Sequence, residues 1–240
     1  MNQLSGVEME DITVLYYTSN RIEEPFATNV RNHLLSFISK GTPIISISQK
    51  PMNFGNNIYV KDLNPSIYNI YKQIYIGASA VSTRYIMCAE DDALYNLEHF
   101  QYRPPDDAFG YNLNKWMVNG NFFFHRNRVN MSTCVAPTDL MVNTLEVRLT
   151  KYPDPEMKLV KWGEPGRFEE FLGLPIVKMD LFKTEQAVLT FNHRPSVGGV
   201  RRTMKGDVIK EELMGWSKAT ELWKEMYEGG GKNGNSNRTF

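Results

Sequence analysis

From residue 12 to residue 92 the hydrophobic pattern keeps switching between strand-like and helix-like periods, and this switching constrains the fold more than any other feature of the chain. Residues 12–17 (Ile-Thr-Val-Leu-Tyr-Tyr) form a β-branched and aromatic run that reads as a buried strand. The polar loop Thr18-Ser19-Asn20-Arg21 separates it from a helix with Pro25 near its first turn and Glu23 and Glu24 at the positive end of the helix dipole. Phe26, Val30, Leu34 and Phe37 then recur at helical spacing, and residues 43–48 and 57–60 read as two further strands. After Pro65 and Ser66, the positions Ile67, Ile70, Tyr71, Ile74, Ala78 and Val81 mark a second amphipathic helix. It delivers the chain into residues 84–89 (Arg-Tyr-Ile-Met-Cys-Ala), the most hydrophobic strand. This order predicts an α/β fold: a mixed, mostly parallel sheet flanked by helices.

The second half is less regular. It holds an aromatic run at Phe122-Phe123-Phe124, a helix expected over residues 138–149, a Pro/Gly-rich loop over 152–166 and a strand over 186–191. A last helix is expected over 207–227, and the Gly/Asn-rich residues 229–240 read as a flexible tail. The expected organisation is therefore one domain over residues 1–228, divided at about residue 100.

With 27 basic and 27 acidic residues the formal net charge is zero, which argues against attachment to nucleic acid or membrane by bulk charge. Two cysteines, Cys88 and Cys134, make neither a disulfide framework nor a four-cysteine zinc site in 240 residues. No apolar run is long enough to span a bilayer, and residues 1–11 lack a secretory core, so a cytoplasmic location is expected. Walker A, GxGxxG and HExxH signatures are absent, which leaves ATPase, dehydrogenase and zinc-protease readings without support.

Glu90-Asp91-Asp92 directly follows the most hydrophobic strand. In open α/β sheets ligands bind beyond the carboxyl ends of the strands, so position alone marks these acids. If the chain stays extended, Glu90 and Asp92 share one side and Asp91 takes the other. Crowded carboxylates make a hard oxygen site suited to Mg²⁺ or Mn²⁺, and a bound dication relieves their repulsion. The alternative is a solvated turn.

A first strand ending in Tyr17-Thr18-Ser19-Asn20-Arg21, followed by a helix and then by Arg84-Tyr85-Ile86-Met87-Cys88-Ala89-Glu90-Asp91-Asp92, resembles a GT-A-fold glycosyltransferase of the family-2-like type found in phage and bacterial genomes. The resemblance implies a donor half over about 1–100 and an acceptor half over about 101–228. It also implies that Thr18, Asn20 and Arg21 line a nucleotide pocket. Glu90-Asp91-Asp92 would be a variant of the acidic DXD motif, with Asp92 the best metal ligand and Asp91 and Glu90 supporting metal or donor. A late histidine often completes such a site, and His193 stands where one is expected, the alternative being a hydrogen-bonded histidine at a strand end; imidazole suits Mn²⁺ better than Mg²⁺. The partner would be a nucleotide-sugar donor, expected to be a UDP-sugar, and the acceptor a glycan or a hydroxymethylated base in DNA.

Arg194, Arg201, Arg202 and Lys205 make the turn after His193 basic, and Arg201 and Arg202 are candidates for holding the donor diphosphate. An inverting enzyme needs a general base. Glu164, Glu169 and Glu170 are the candidates, with Glu169 and Glu170 ranked ahead of Glu164. Asp106-Asp107 after Pro104-Pro105 reads as a turn, and the aromatic stretch around it as core. A sugar nucleotidyltransferase would carry a Gly-rich loop after the first strand, and residues 18–21 contain no glycine. A binding module of the same fold, without turnover, is the remaining alternative.

Overall fold

The computed structural model describes residues 10–61, 63–64, 66–153, 163–196 and 199–228. The expected tail lies outside them, as do residues 154–162 of the Pro/Gly-rich loop and Val197 and Gly198 of the basic turn.

Strand β1 (Ile12–Thr18) is followed by α1 (Glu24–Phe37), which has Pro25 in its first turn and buries Phe26, Ala27, Val30 and Leu34 along one face. Strands β2 (Ile44–Ser48) and β3 (Asn56–Tyr59) come next, then α2 (Ile67–Ala78). Ser66 caps α2: its Oγ accepts from Asn69 N at 3.1 Å, satisfying a backbone donor that helix geometry leaves free. Strand β4 (Tyr85–Glu90), the two-residue β5 (Ala93–Leu94) and the short α3 (Leu97–Gln101) lead into β6 (Ala108–Asn112), β7 (Lys115–Asn119) and β8 (Phe122–His125). The rest comprises β9 (Cys134–Pro137), α4 (Thr138–Lys151), α5 (Glu169–Leu172), β10 (Lys178–Phe182), β11 (Val188–Phe191), β12 (Val208–Lys210) and α6 (Ala219–Glu228).

Seven strands form the central sheet in the order β10-β6-β9-β4-β1-β2-β3. The pairs β3–β2, β2–β1, β1–β4 and β6–β10 are parallel, and β9 runs antiparallel between β4 and β6. The α/β class expected from the sequence is therefore the observed one: a mostly parallel central sheet flanked by helices. Both faces of this sheet are covered. Leu15, Tyr17, Ile86 and Cys88 point into one core with Ile74 of α2 and Leu145 of α4, while Val14, Tyr16, Met87 and Ala89 point into another with Leu34 of α1. Burial on both faces is why β1 and β4 are apolar at every position rather than at alternate ones.

The second half contributes β6, β9 and β10 to the central sheet and also builds most of a second, five-stranded sheet, β12-β8-β7-β11-β5. One expectation is corrected. The helix expected over 207–227 starts only at Ala219. Gly215 adopts φ +79°, which a continuing helix excludes, and Val208-Ile209-Lys210 pair antiparallel with β8 instead. Helix α6 closes the second sheet through Leu222 and Met226, beside Phe26 and Val30 of α1.

Candidate functional site

The parallel pairing of β1 with β4 sets Tyr17 opposite Glu90, so the loop after β1 lies against the acids after β4. Tyr17 donates its hydroxyl to Glu90 Oε1 at 2.8 Å, and Thr18 Oγ1 donates to Asp91 Oδ2. The chain does not remain extended past Glu90: residues 91 and 92 form a turn. The alternation expected for the three acids is thereby lost, and all three line one cavity of about 230 Å³ at the carboxyl ends of β1 and β4. The turn also passes the chain from one sheet to the other, because β5 pairs with β11 and Phe191 N donates to Asp92 O at 2.9 Å.

His193, two residues beyond the end of β11, is buried. Its Nε2 lies 3.1 Å from Asp92 Oδ2, and Ser196 Oγ donates to the same oxygen at 3.3 Å. His193 is not on the cavity wall. It stands behind Asp92, with its ring 5.8 Å from that of Phe26. Asp92 Oδ1 is buried without a hydrogen-bond partner among the described residues. A buried carboxylate oxygen left unpaired is costly, so this atom fits a site completed by an electropositive ligand. Among the described residues no three His, Cys, Asp or Glu side chains gather into a protein-only cage. A Mg²⁺-type site needs none, since one or two carboxylates with substrate phosphates and water suffice.

Crowding has electrostatic consequences. Burial, followed by the charge of Asp92, pushes the carboxyl groups of Glu90 and Asp91 up to about 7. Lys115 at the start of β7 faces the same cavity; burial pulls its ammonium below the ordinary lysine range against the opposing pull of Glu90.

The remaining expected site residues divide. Thr18, Arg21, Arg201 and Glu164 line the cavity. Asn20 does not. At φ +52° it takes a left-handed conformation that asparagine tolerates, and its Oδ1 accepts from Gln49 N and Lys50 N, tying the β1 loop to the end of β2. Arg202 is exposed and away from the wall; its carbonyl oxygen accepts from Arg126. The three glutamates are placed differently. Glu169 is buried in an ion pair with Arg148, and its Oε2 also accepts from Gly166 N at 2.8 Å. Arg148 in turn donates to Gly163 O at 2.7 Å, so the pair holds the segment that carries Glu164. Glu170 is exposed and lines no part of the cavity, which leaves Glu164, paired with Arg167 at 2.6 Å.

Sequence reading missed several wall residues: Gln73, whose Nε2 donates to Thr18 O at 3.0 Å, and Lys115, Met117, Asn130 and Ser196. A signal existed for two of them, since alternation along Lys115-Trp116-Met117 puts Lys115 and Met117 on one face. Asn192 was also missed. Its side chain accepts from Arg201 N and donates to Arg201 O, each at 2.8 Å, clasping the base of the basic turn.

No family model and no curated protein matches the chain. Among solved structures it is similar to a glycosyltransferase involved in the glycosylation of the major capsid of PBCV-1, with 9% identity over 75% of this chain and 92% of that one and a TM-score of 0.47. It is also similar to S. aureus TarS in complex with UDP-GlcNAc (11% identity, 78% of this chain, 60% of that one, TM-score 0.47). A third is the bifunctional IspDF from Campylobacter jejuni (8% identity, 73% of this chain, 50% of that one, TM-score 0.41). The chain thus spans little more than half the length of the last two. Likeness at this level says nothing about the reaction.

Proposed function

We propose that this protein is a divalent-cation-dependent glycosyltransferase that moves a sugar from a nucleotide-sugar donor, a UDP-sugar by preference, to a hydroxyl group on a glycan or on a hydroxymethylated base in DNA. The observation that supports it best is the convergence of Glu90, Asp91 and Asp92 on one cavity at the strand ends, with Asp92 Oδ1 buried and unpaired. Asp92 and Asp91 would hold the cation, and Glu90 would support the donor. His193 orients Asp92 by occupying Oδ2 and so leaves Oδ1 to the ligand. With the imidazole behind the wall, the reason for preferring Mn²⁺ to Mg²⁺ falls away, and a carboxylate pair accepts either.

Thr18 and Arg21 line the same cavity and would contact the nucleotide, and Arg201, also on its wall, would meet the diphosphate. In the reaction the acceptor oxygen attacks the anomeric carbon, the bond from that carbon to the diphosphate oxygen breaks, and the electron pair leaves with the nucleoside diphosphate. When bound, the cation supplies charge neutralisation at that leaving group. The acceptor proton passes to a base; Glu164, the one of the three candidate glutamates on the wall, fills that role for an inverting reaction.

A thermal-shift screen of nucleotide sugars with and without Mn²⁺ or Mg²⁺ tests the reading. A ligand at one hundred times its dissociation constant stabilises the native state by about 2.7 kcal/mol. The expected result is a cation-dependent shift with UDP or a UDP-sugar that Asp92→Asn removes while the unliganded protein stays folded. A shift unchanged by EDTA or by that substitution refutes the cation assignment, and no shift with any nucleotide sugar favours a binding module.

A further inference from the structure

A second cavity, of about 120 Å³, adjoins the first and shares Lys115, Met117, Asn130, Glu164 and Arg201 with it. Its own wall adds Arg126, Arg128 and Arg167 over a floor that includes Phe124 and Val129. Among the described residues, five cationic side chains therefore face this space, and Glu164 is the one acid on its wall. Two of the five are already engaged: Arg167 pairs with Glu164, and Arg126 pairs with Asp207 at 3.2 Å. The ammonium of Lys115 and the guanidinium groups of Arg128 and Arg201 have no hydrogen bond or ion pair among the described residues. Clustered cations repel one another, and an anion placed among them relieves that repulsion. The guanidinium fork matches phosphate oxygens in particular.

The position of this annex matters as much as its charge. It opens beside Glu164, on the side of the first cavity away from Thr18 and Arg21. A donor diphosphate drawn to the acids by a cation would meet Arg201 at the boundary, and it would leave Arg126, Arg128 and Arg167 unused. We propose that the annex binds a phosphoryl group carried by the acceptor, a phosphate monoester or diester near the hydroxyl to be modified. The word acceptor rests on the transferase reading above; the anion site itself rests on the side chains alone.

The test uses the full chain and two probes, methyl phosphate and dimethyl phosphate, followed by saturation transfer to their methyl protons with UDP and Mg²⁺ at saturation. The expected result is binding of at least one probe with UDP present, weakened about fivefold or more in Arg128→Glu. The ester that binds distinguishes a terminal phosphate from a polymer backbone. Arg128 is exposed, so its variant should melt within about 2 °C of the parent, which separates lost binding from lost fold. Displacement of the probe by UDP overturns the proposal, because the annex would then be an extension of the donor site. An affinity unchanged in Arg128→Glu overturns it as well. If UDP binds and neither ester does, the annex falls and the transferase reading stands. If an ester binds through Arg128 while UDP never binds, the annex stands and the transferase reading falls.

Discussion

Replacing Glu169 by glutamine should destabilise the protein severely, because it strands a charge in the interior. Arg148 and Glu169 are 1% and 3% exposed and pair directly, and Arg148 Nε has no hydrogen-bond partner of its own among the described residues. Glutamine keeps the shape of the side chain and an oxygen for Gly166 N, so packing is nearly constant and the change is one of charge. Removing one member of a buried pair costs about 3–5 kcal/mol, most of it the burden of the uncompensated partner. For a chain of this size that corresponds to a melting temperature lower by about 6–20 °C. Urea unfolding followed by tryptophan fluorescence should show the midpoint falling at unchanged m-value. Arg148→Met in the Glu169→Gln background removes the stranded charge and should restore at least about 1 kcal/mol, the coupling expected of groups in contact. If Glu169→Gln unfolds within about 1 kcal/mol of the parent, the pair does not anchor the loop. If it also abolishes transfer while the fold is intact, Glu169 returns as a catalytic candidate ahead of Glu164.

Two more predictions follow from burial. Gly77 in α2 should resist alanine although helix propensity favours the change by about 0.5–1 kcal/mol. An added Cβ would stand 2.4 Å from Leu15 Cδ1 and 2.7 Å from Ile47 Cγ1, both in the core, and overpacking of about 1–3 kcal/mol should win in a denaturation midpoint. Burial lowers the imidazole of His99 to about 3, against about 6.5 in the unfolded chain. Between those values the unfolded state carries a proton that the native state refuses, so this contribution is complete above pH 6.5 and declines as pH falls towards 3, by up to about 1.4 kcal/mol per unit. The difference in urea midpoint between the parent and His99→Gln should therefore narrow on acidification; a constant difference from pH 7 to pH 4.5 refutes it.

The first half of the fold was legible because its signals are local. The strands β1, β2 and β4 are continuous apolar runs, and α1 and α2 announce themselves by spacing and by Pro25 and Ser66 near their starts. Of the second sheet β11 was legible as the strand expected over 186–191, but the sheet itself was not, since its strands run from two to five residues and β5 exists only through its pairing with β11. The three acids were found from their place after β4, but their convergence depends on a turn at residues 91 and 92 that no residue type there requires. The ion pair of Glu169 was not legible because its partner Arg148 lies on another helix, twenty-one positions away in sequence. Lys115 was passed over within a stretch of Tyr, Asn and Trp, where its isolated charge was the informative feature.

Asp92 and His193 sit at the same end of a shared seam: Asp92 just before β5, His193 just after β11, and these two strands run antiparallel and are hydrogen-bonded to each other. Their separation is therefore set by a ladder only two residue pairs long, Ala93 with Thr190 and Leu94 with Leu189. A proline at either 93 or 94 would unzip that ladder and misalign the carboxylate with the ring while leaving both side chains chemically unaltered.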